Sequence, residues 1–249
     1  MTKTLQRPVA IVTGASSGIG LAIAQHLSKA GYDLALCARR QDRLTDVATD
    51  LEASGSAVLT QAVDLRDEAQ ILSFFEAVDK RFGQIDVLVN NAGLGHKESL
   101  MSGDTDAWRE MLEVNVLALC ICTREAVQRM TLVNSGHIVH ICSMSGHRVP
   151  AITGLYSATK FAVRSLSETL RRELRSAHSN IRISSVSPGI VETEFAEKYH
   201  QSAEKAQETY GQFPVLQSED IAKAVIYALG QPAHVEVNDI LIRPTQQSS

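Results

Sequence analysis

The sequence predicts an α/β fold, a single domain in which helices cover both faces of a doubly wound parallel sheet. Short β-branched runs alternate with helical patterns along the 249 residues, and this alternation implies right-handed crossovers between parallel strands. Several of the runs are continuously apolar, which is typical of strands buried on both faces. Hydrophobic residues make up 44% of the chain, so a large core can form.

Seven strands are expected, in chain order. They are Val9–Val12, Leu34–Cys37, Val58–Val63, Val87–Val89, Ile138–Cys142, Ile181–Val186 and Ile240–Ile242. An irregular insertion is expected at 192–217, between the sixth strand and a helix at Glu219–Leu229. This insertion is interpreted as a cover for the substrate within the one domain, 1–249.

The composition limits the kinds of partner. The chain has 24 basic and 28 acidic residues, which gives a net charge of −4. Such a chain has no overall field that would attract nucleic acid or anionic lipid, so any phosphate must be bound at a local site. The apolar run at Pro8–Val12 is too short for a signal peptide. The four cysteines are spaced neither as a disulfide framework nor as a metal site. We expect a soluble cytoplasmic protein with reduced thiols and no metal.

The loop after the first strand is rich in glycine. Thr13–Gly20 reads TGASSGIG and opens an amphipathic helix. Glycines let a pyrophosphate approach the backbone, and the helix N-terminus adds unpaired N–H groups. The candidate cofactor contacts here are Gly14, Ser16, Ser17, Gly18, Ile19 and Gly20. The spacing differs from Gly-x-Gly-x-x-Gly, and a plain strand-to-helix turn is the alternative; no Gly-Lys-Ser/Thr follows, which argues against a kinase-type P-loop.

The residues that end the second strand indicate which dinucleotide binds. A site for NAD usually has an acid here for the ribose hydroxyls, whereas this chain has Arg39 and Arg40. A guanidinium suits a phosphate dianion, so the pair predicts NADP(H); two solvated arginines at a helix start are the alternative. Asp64, followed by Leu65, ends the third strand. It could accept from the adenine amino group or cap the next helix.

Two residues four apart predict acid–base chemistry. Tyr156 and Lys160 share one helix face, and a nearby ammonium lowers the pKa of a phenol, which is ordinarily about 10. The phenol then becomes a proton donor and acceptor near neutral pH. Ser143 follows the fifth strand and could hydrogen-bond a carbonyl oxygen beside the phenol. Taken alone, a Tyr/Lys pair at this spacing is also common by chance.

Two helices are apolar on most faces. Val114–Thr123 has no charged residue and Leu155–Val163 has only Lys160, so each is expected to be buried on more than one side. The sheet covers one face, and a second subunit is expected to cover the other in a dimer or tetramer. A loop or site within one subunit is the alternative cover.

These motifs together resemble the short-chain dehydrogenase/reductase family, whose domain is a Rossmann fold. The resemblance is carried by the glycine loop, Asn90–Gly93, Pro188-Gly189 and four residues that match the family's catalytic tetrad, in order and over nearly the whole chain. It implies that Asn115, Ser143, Tyr156 and Lys160 are catalytic. It adds Asn91, Ala92, Gly93, Pro188, Gly189, Val191 and Thr193, with Tyr156 and Lys160, to the cofactor contacts, and Asn90 to the adenosine side.

The resemblance also implies roles for the tetrad. Tyr156 is expected to be the general acid in reduction and the general base in oxidation, and Ser143 to orient the carbonyl. Lys160 is expected to bind the nicotinamide ribose and lower the pKa of the phenol. Asn115 is expected to hold a water that links Lys160 to solvent, since a mid-helix asparagine in an apolar segment needs a polar partner.

The predicted function is NADPH-dependent reduction of a carbonyl, or oxidation of the matching alcohol. Four segments resemble family members that reduce apolar or steroid-like ketones: Asn115–Ala126, Ser143–Val149, Val191–Ala196 and Ala233–Gln247. The end of the chain also resembles bacterial NADP-dependent 3-hydroxy acid dehydrogenases. A regulatory protein that binds NADPH without turnover is the alternative from another class. A nucleic-acid-binding protein is disfavoured, because the sequence has no stripe of basic residues. The substrate pocket is expected at Gly93–Lys97, Met144–Ile152 and 192–213. Its candidate polar contacts are His96, His147 and Arg148, beside apolar Met144, Val149, Pro150 and Ile152.

Overall fold

The computed structural model describes residues 6–150 and 154–248; Ile152, an expected pocket residue, lies outside them. A single sheet holds the strands β1 (Val9–Thr13), β2 (Asp33–Ala38), β3 (Val58–Ala62), β4 (Val87–Asn90), β5 (His137–Ile141), β6 (Arg182–Pro188) and β7 (Asp239–Ile242). The helices are α1 (Gly18–Lys29), α2 (Gln41–Ala53), α3 (Glu68–Phe82), α4 (Thr105–Leu112), α5 (Ala118–Val133), α6 (Leu155–Ser176), α7 (Phe195–His200), α8 (Ala203–Tyr210) and α9 (Ser218–Leu229).

All seven strands are parallel, in the order β3-β2-β1-β4-β5-β6-β7. The predicted doubly wound sheet and its seven strands are confirmed, with ends that differ by one or two residues. The strand order reverses between β1 and β4. In such sheets ligands bind outside the carboxyl ends of the strands at this switch point, so the topology alone places a crevice after Thr13 and Asn90.

Two cores lie on opposite faces of the sheet. Along β1, Ala10 and Val12 face the core under α1 and α9, whereas Val9 and Ile11 face the core under α3 and α5. All four side chains are fully buried. The two-residue period of a strand divides a continuous apolar run between both cores in this way. The first strand is therefore a fixed platform for the glycine loop that follows it.

The helix predicted at Val114–Thr123 forms, but it does not begin as an α-helix. Glu113–Leu117 is a π-helical turn that joins α4 to α5. On α4, this turn and α6, Leu112, Leu117 and Phe161 are 47%, 56% and 39% exposed. The described part of the chain leaves these side chains exposed, so their cover by a second subunit stays a prediction.

The segment predicted as an irregular insertion is more regular than expected. It contains α7 and α8, and its ends are tied together where the Glu192 N–H donates to the Leu216 carbonyl at 2.9 Å. The tyrosine that ends α8 also anchors α7, because the Tyr210 hydroxyl accepts from Ala196 N and donates to the Thr193 carbonyl. None of the helices in the described ranges is long and apolar enough to cross a membrane.

Candidate active site

A cavity of about 1040 Å³ opens at the carboxyl ends of the strands, where the topology predicts it. It extends from the loops after β1, β2 and β3, past β4, to α6 and the insertion. Of the predicted catalytic and cofactor-binding residues, every one except Asn90 and Asn115 lines this cavity. Asn90 is buried and its Nδ2 donates to Thr123 Oγ1 on α5 at 2.9 Å, so its expected place on the adenosine side is wrong. The lining set is Gly14, Ser16, Ser17, Gly18, Ile19, Gly20, Arg39, Arg40, Asp64, Leu65, Asn91, Ala92, Gly93, Ser143, Tyr156, Lys160, Pro188, Gly189, Val191 and Thr193.

The glycine loop has a conformation that side chains would not permit. Gly14 and Gly18 have φ angles of +68° and +55°, and a Cβ atom on Gly20 would lie 2.4 Å from the Gly14 carbonyl oxygen. The next strand holds the loop in place, because Asn91 Nδ2 donates to the Thr13 carbonyl at 2.9 Å. No side chain caps the N-terminus of α1. The loop therefore forms a cradle with helix N–H groups directed outward, which suits a pyrophosphate.

The two arginines after β2 have different surroundings. Arg40 is 33% exposed in its side chain, and its Nη2 donates to Ser17 Oγ at 2.7 Å and to Ser16 Oγ at 3.1 Å. Arg39 is 59% exposed and makes only a long ion pair, 3.7 Å from Nη1 to Glu110 Oε1, within the described chain. Arg40 is thus the arginine that the glycine loop preorganises.

A carboxylate that sequence reasoning missed also lies at this point of the cavity. Glu194, in the insertion, accepts from Arg40 Nη1 at 2.9 Å and from Lys198 Nζ at 3.0 Å, and it pairs with Arg43 at 2.5 Å. Burial would raise the pKa of Glu194, but the hydrogen bonds from the three cations lower it to about 2. The acid lies far along the chain from the arginines, and no local spacing links them.

The structure decides between the two roles considered for Asp64. The acid that caps α3 is Asp67, whose side chain accepts from Ala69 N and Gln70 N. The carboxylate of Asp64 instead accepts from Arg66 Nε at 2.9 Å, and this hydrogen bond lowers the pKa of Asp64. The capping role is therefore wrong. Asp64 lines the cavity as an ion-paired carboxylate, and its contact with adenine stays a prediction.

Three of the four predicted catalytic side chains meet at the deep end of the cavity. Ser143 follows β5, and its hydroxyl hydrogen-bonds the phenol of Tyr156 near the start of α6. One turn later, Lys160 Nζ lies 5.9 Å from the centroid of the Tyr156 ring. It donates to the Ile141 carbonyl at 3.1 Å. The spacing of four residues brings phenol and ammonium onto one helix face, as expected.

The expected effect of Lys160 on the phenol is wrong for this arrangement. Burial raises the pKa of Tyr156 well above its ordinary value, and the hydrogen bond from Ser143 only partly offsets this. Burial also lowers the pKa of Lys160, because no carboxylate compensates the ammonium. The amine is directed at a backbone carbonyl instead of the phenol oxygen. Tyr156 is therefore held as a neutral proton donor.

Asn115 lies behind the cavity wall and does not line it. Its Oδ1 accepts from Leu94 N at 2.9 Å, and its Nδ2 donates to the Leu94 carbonyl at 2.7 Å and to Thr159 Oγ1 at 3.1 Å. Protein groups therefore satisfy the buried amide, and the water that Asn115 is expected to hold stays a prediction. A Cβ on Gly93 would lie 3.3 Å from Asn115 Oδ1 and 3.4 Å from Lys160 Nζ. The amide thus fixes the loop that covers the lysine.

Comparisons with known proteins agree with this geometry. Residues 8–204 match the family described as short chain dehydrogenase. The chain belongs to this family. Dehydrogenase/reductase SDR family member 11 of Bos taurus is 48% identical over 246 residues, which are 96% of each chain, and farnesol dehydrogenase of Aedes aegypti is 42% identical over 241 residues, 95% of each. The closed form of serine dehydrogenase complexed with NADP⁺ is similar with a TM-score of 0.91 at 32% identity, covering 97% of this chain and 96% of that one. The predicted family and fold are confirmed.

Of the three polar residues expected at the substrate end of this short-chain dehydrogenase, one is placed there. Arg148 lines the cavity. His96 Nε2 instead lies 2.8 Å from Glu110, and His147 Nε2 lies 3.1 Å from Asp239. Both histidines are absent from the cavity lining, so neither is placed to contact a substrate there. Each partly buried imidazole is instead paired with an acid.

An aromatic cluster that the sequence did not predict encloses the phenol. Phe195 and Tyr199, on α7, have ring centroids 5.4 Å and 6.2 Å from that of Tyr156. Gly95 leaves the space for them, since a Cβ there would lie 2.8 Å from Phe195 Cζ and 2.9 Å from Tyr199 Cδ2. The spacing of four residues between the two aromatics on α7 was a signal for a common face. Nothing in the sequence identified the side chain they would contact.

Proposed function

We propose that this short-chain dehydrogenase is an NADP(H)-dependent carbonyl reductase and alcohol dehydrogenase. One observation carries the proposal. The glycine loop and the two arginines line one end of a single cavity. Ser143, Tyr156 and Lys160 meet at the other, deep end of the same cavity. This is the arrangement needed to hold a reduced dinucleotide with its reactive end beside a proton donor.

The residues at the first pole fit the phosphates of NADP(H). The glycine loop and the start of α1 would hold the pyrophosphate, and Arg39 and Arg40 would hold the 2′-phosphate. The NADP⁺ complex of serine dehydrogenase supports this assignment. Lys160 would bind the nicotinamide ribose. Gly189, Val191 and Thr193, which line the cavity between the two poles, would cover the nicotinamide.

Bound NADPH supplies the hydride that reaches the carbonyl carbon of the substrate. The proton comes from this chain. The Ser143 hydroxyl positions the carbonyl oxygen beside the phenol, and Tyr156 transfers its hydroxyl proton to that oxygen as the alcohol forms. The raised pKa of Tyr156 supports this direction, because the phenol stays protonated until it is used. In alcohol oxidation the same steps run in reverse, with Tyr156 as the base.

The substrate end combines apolar and basic groups. Val149, Phe195 and Tyr199 line it, which favours an apolar ketone or alcohol, and the similarity to farnesol dehydrogenase supports this class. Arg148 and Lys97 also line it. They favour the second candidate, a short 3-hydroxy acid, for which the likeness to serine dehydrogenase is the support. In both cases α7 and the rest of 192–217 would cover the substrate.

The assembly is part of the same proposal. Leu112, Leu117 and Phe161 are exposed apolar side chains on α4, the π-helical turn and α6, which pack against one another, and a second copy of this chain would cover them. A two-fold axis places like surfaces together, which gives a dimer, or a tetramer through a second interface. We propose a cytoplasmic homo-oligomer that acts on small molecules.

The test is NADPH consumption with two substrate panels, apolar ketones and short 3-oxo acids, alongside direct NADPH titration by fluorescence. Turnover with either panel supports the enzyme, and the better panel selects the substrate class. Tight NADPH binding without turnover on both panels would instead favour the regulatory protein. Absence of NADPH binding would refute the assignment of the cavity.

A further inference from the structure

We propose that Glu194 is an internal competitor for the anion site of Arg40, so that this acid sets how strongly the chain prefers a 2′-phosphorylated dinucleotide over NAD(H). The inference rests on the proposed function, because it assumes that the arginine pole receives the adenosine half of the cofactor. It assigns a selectivity role to a residue in the insertion, outside the loops that form the cradle.

The carboxylate of Glu194 occupies the position that a phosphate would take. It accepts from Arg40 Nη1 with both oxygens, at 3.2 Å and 2.9 Å, and it lies 3.4 Å from Ser17 Oγ. The same guanidinium donates through Nη2 to the hydroxyls of Ser16 and Ser17. An anion held by a guanidinium beside a serine hydroxyl is a contact pattern that a bound phosphate would also make. The chain therefore satisfies this site with its own acid.

The charge at the 2′ position of the cofactor decides whether it competes with Glu194 for Arg40. A 2′-phosphate carries up to two negative charges and three acceptor oxygens, so it can replace the carboxylate on Arg40. Two effects oppose this replacement. Glu194 loses its ion pair with Arg40, and its carboxylate repels the 2′-phosphate if it stays nearby. NAD(H) has only a hydroxyl at the 2′ position. Its pyrophosphate is assigned to the glycine loop and the start of α1 and not to Arg40, so Glu194 is expected to leave its affinity nearly unchanged.

A different role predicts the opposite result. Glu194 could act as a clamp that fastens α7 over any bound dinucleotide through Arg40 and Arg43. Removing a clamp would weaken NADPH and NADH binding together. Removing a competitor would tighten NADPH binding alone. The two roles therefore differ in sign, and a binding measurement separates them without turnover.

The experiment compares Glu194→Gln with the parent by isothermal titration of NADPH, NADH, 2′,5′-ADP and 5′-ADP. Glu194→Gln keeps the shape of the side chain and removes its charge. Because glutamine keeps part of the contact but not its charge, we expect NADPH and 2′,5′-ADP to bind about tenfold tighter, which is about 1.4 kcal/mol. Affinities for NADH and 5′-ADP should stay within about twofold. Glu194→Ala should change the affinities in the same direction, and thermal melting checks that both variants fold.

Glu197→Gln is the matched control, because it removes one acidic charge from α7, the helix that Glu194 precedes, and Glu197 makes no ion pair with an arginine in the described part of the chain. It should leave all four affinities unchanged. Unchanged or weaker NADPH binding in both Glu194 variants would overturn the competitor role. If the parent protein binds neither NADPH nor 2′,5′-ADP, the proposed function fails first, which is a distinguishable result. Equal tightening in Glu197→Gln would show a general charge effect and would also overturn the proposal.

Discussion

Replacing Tyr156 by Phe tests the proposed chemical step with little disturbance of the site. The substitution removes one hydroxyl and keeps the ring that packs at 5.4 Å and 6.2 Å, between centroids, against Phe195 and Tyr199. The cradle for the dinucleotide lies at the other pole of the cavity. We therefore expect the fold and the NADPH affinity to change little while the proton donor is lost.

The size of the loss follows from the surroundings of the phenol. A positioned general acid contributes about 10²–10⁴-fold. The polar groups nearest to Tyr156 are occupied, since Ser143 Oγ accepts from Ser145 N at 3.0 Å and Lys160 Nζ donates to the Ile141 carbonyl. The aromatic cluster also limits the entry of water. We expect the upper part of the range, about 10³–10⁴-fold in turnover, which is about 4–5.5 kcal/mol in the barrier.

The assay is stopped-flow NADPH oxidation with the best ketone, together with a fluorescence titration of NADPH. Tyr227→Phe is the matched control, because this tyrosine is exposed on α9 and does not line the cavity. Lys160→Ala should differ from Tyr156→Phe by weakening NADPH binding as well as turnover, since the ribose contact is assigned to the lysine. Turnover of Tyr156→Phe within a few-fold of the parent would refute the proton-transfer role.

Three further predictions concern the cofactor pole, the phenol and the assembly. Arg40→Ala should lower NADPH affinity more than Arg39→Ala does, by about 1.5–3 kcal/mol for each lost charge-assisted bond, and titration of NADPH and NADH measures both. A tyrosinate absorbance titration, parent minus Tyr156→Phe, should show no ionisation of this phenol below its ordinary pKa of about 10, because burial raises the pKa; a step near neutral pH would contradict this. Leu117→Glu and Phe161→Glu should each shift light scattering towards a 27.1 kDa particle, whereas a parent that is already this size would contradict the proposed oligomer.

The sequence predicts the sheet well because each strand is specified by a short, continuous run of residues. Each strand is a short β-branched run, and two-sided burial makes several runs continuously apolar, so pattern and position agree at β1, β4 and β5. The glycine loop is predictable for a similar reason. A Cβ at Gly20 would collide with the backbone of Gly14, so residue type and backbone geometry are linked within a few positions of the chain.

The surroundings of the predicted residues could not be read in the same way, because they depend on contacts between distant segments. Asn115 was predicted as a polar residue in need of a partner, but its partner is the backbone of Leu94, whose position depends on how the loop after β4 folds. Glu194 meets Arg40 only because the insertion returns over the carboxyl ends of the strands. Pattern reasoning identifies a side chain that needs a contact, and tertiary structure selects the contact.

The pKa of Tyr156 shows why this difference matters for mechanism. Reasoning from the spacing of Tyr156 and Lys160 considered only the attraction between phenolate and ammonium, and it predicted a lowered value. The structure adds the desolvation of both groups, and desolvation is the larger effect on each. Because the folded-state pKa of the phenol lies above that of the unfolded chain, burial of the neutral form stabilises the protein fully below pH about 10, and this contribution is lost only as the pH rises through the folded-state value. Because its folded-state pKa is raised, Tyr156 stays protonated across the physiological pH range. The proton for carbonyl reduction is therefore in place at neutral pH.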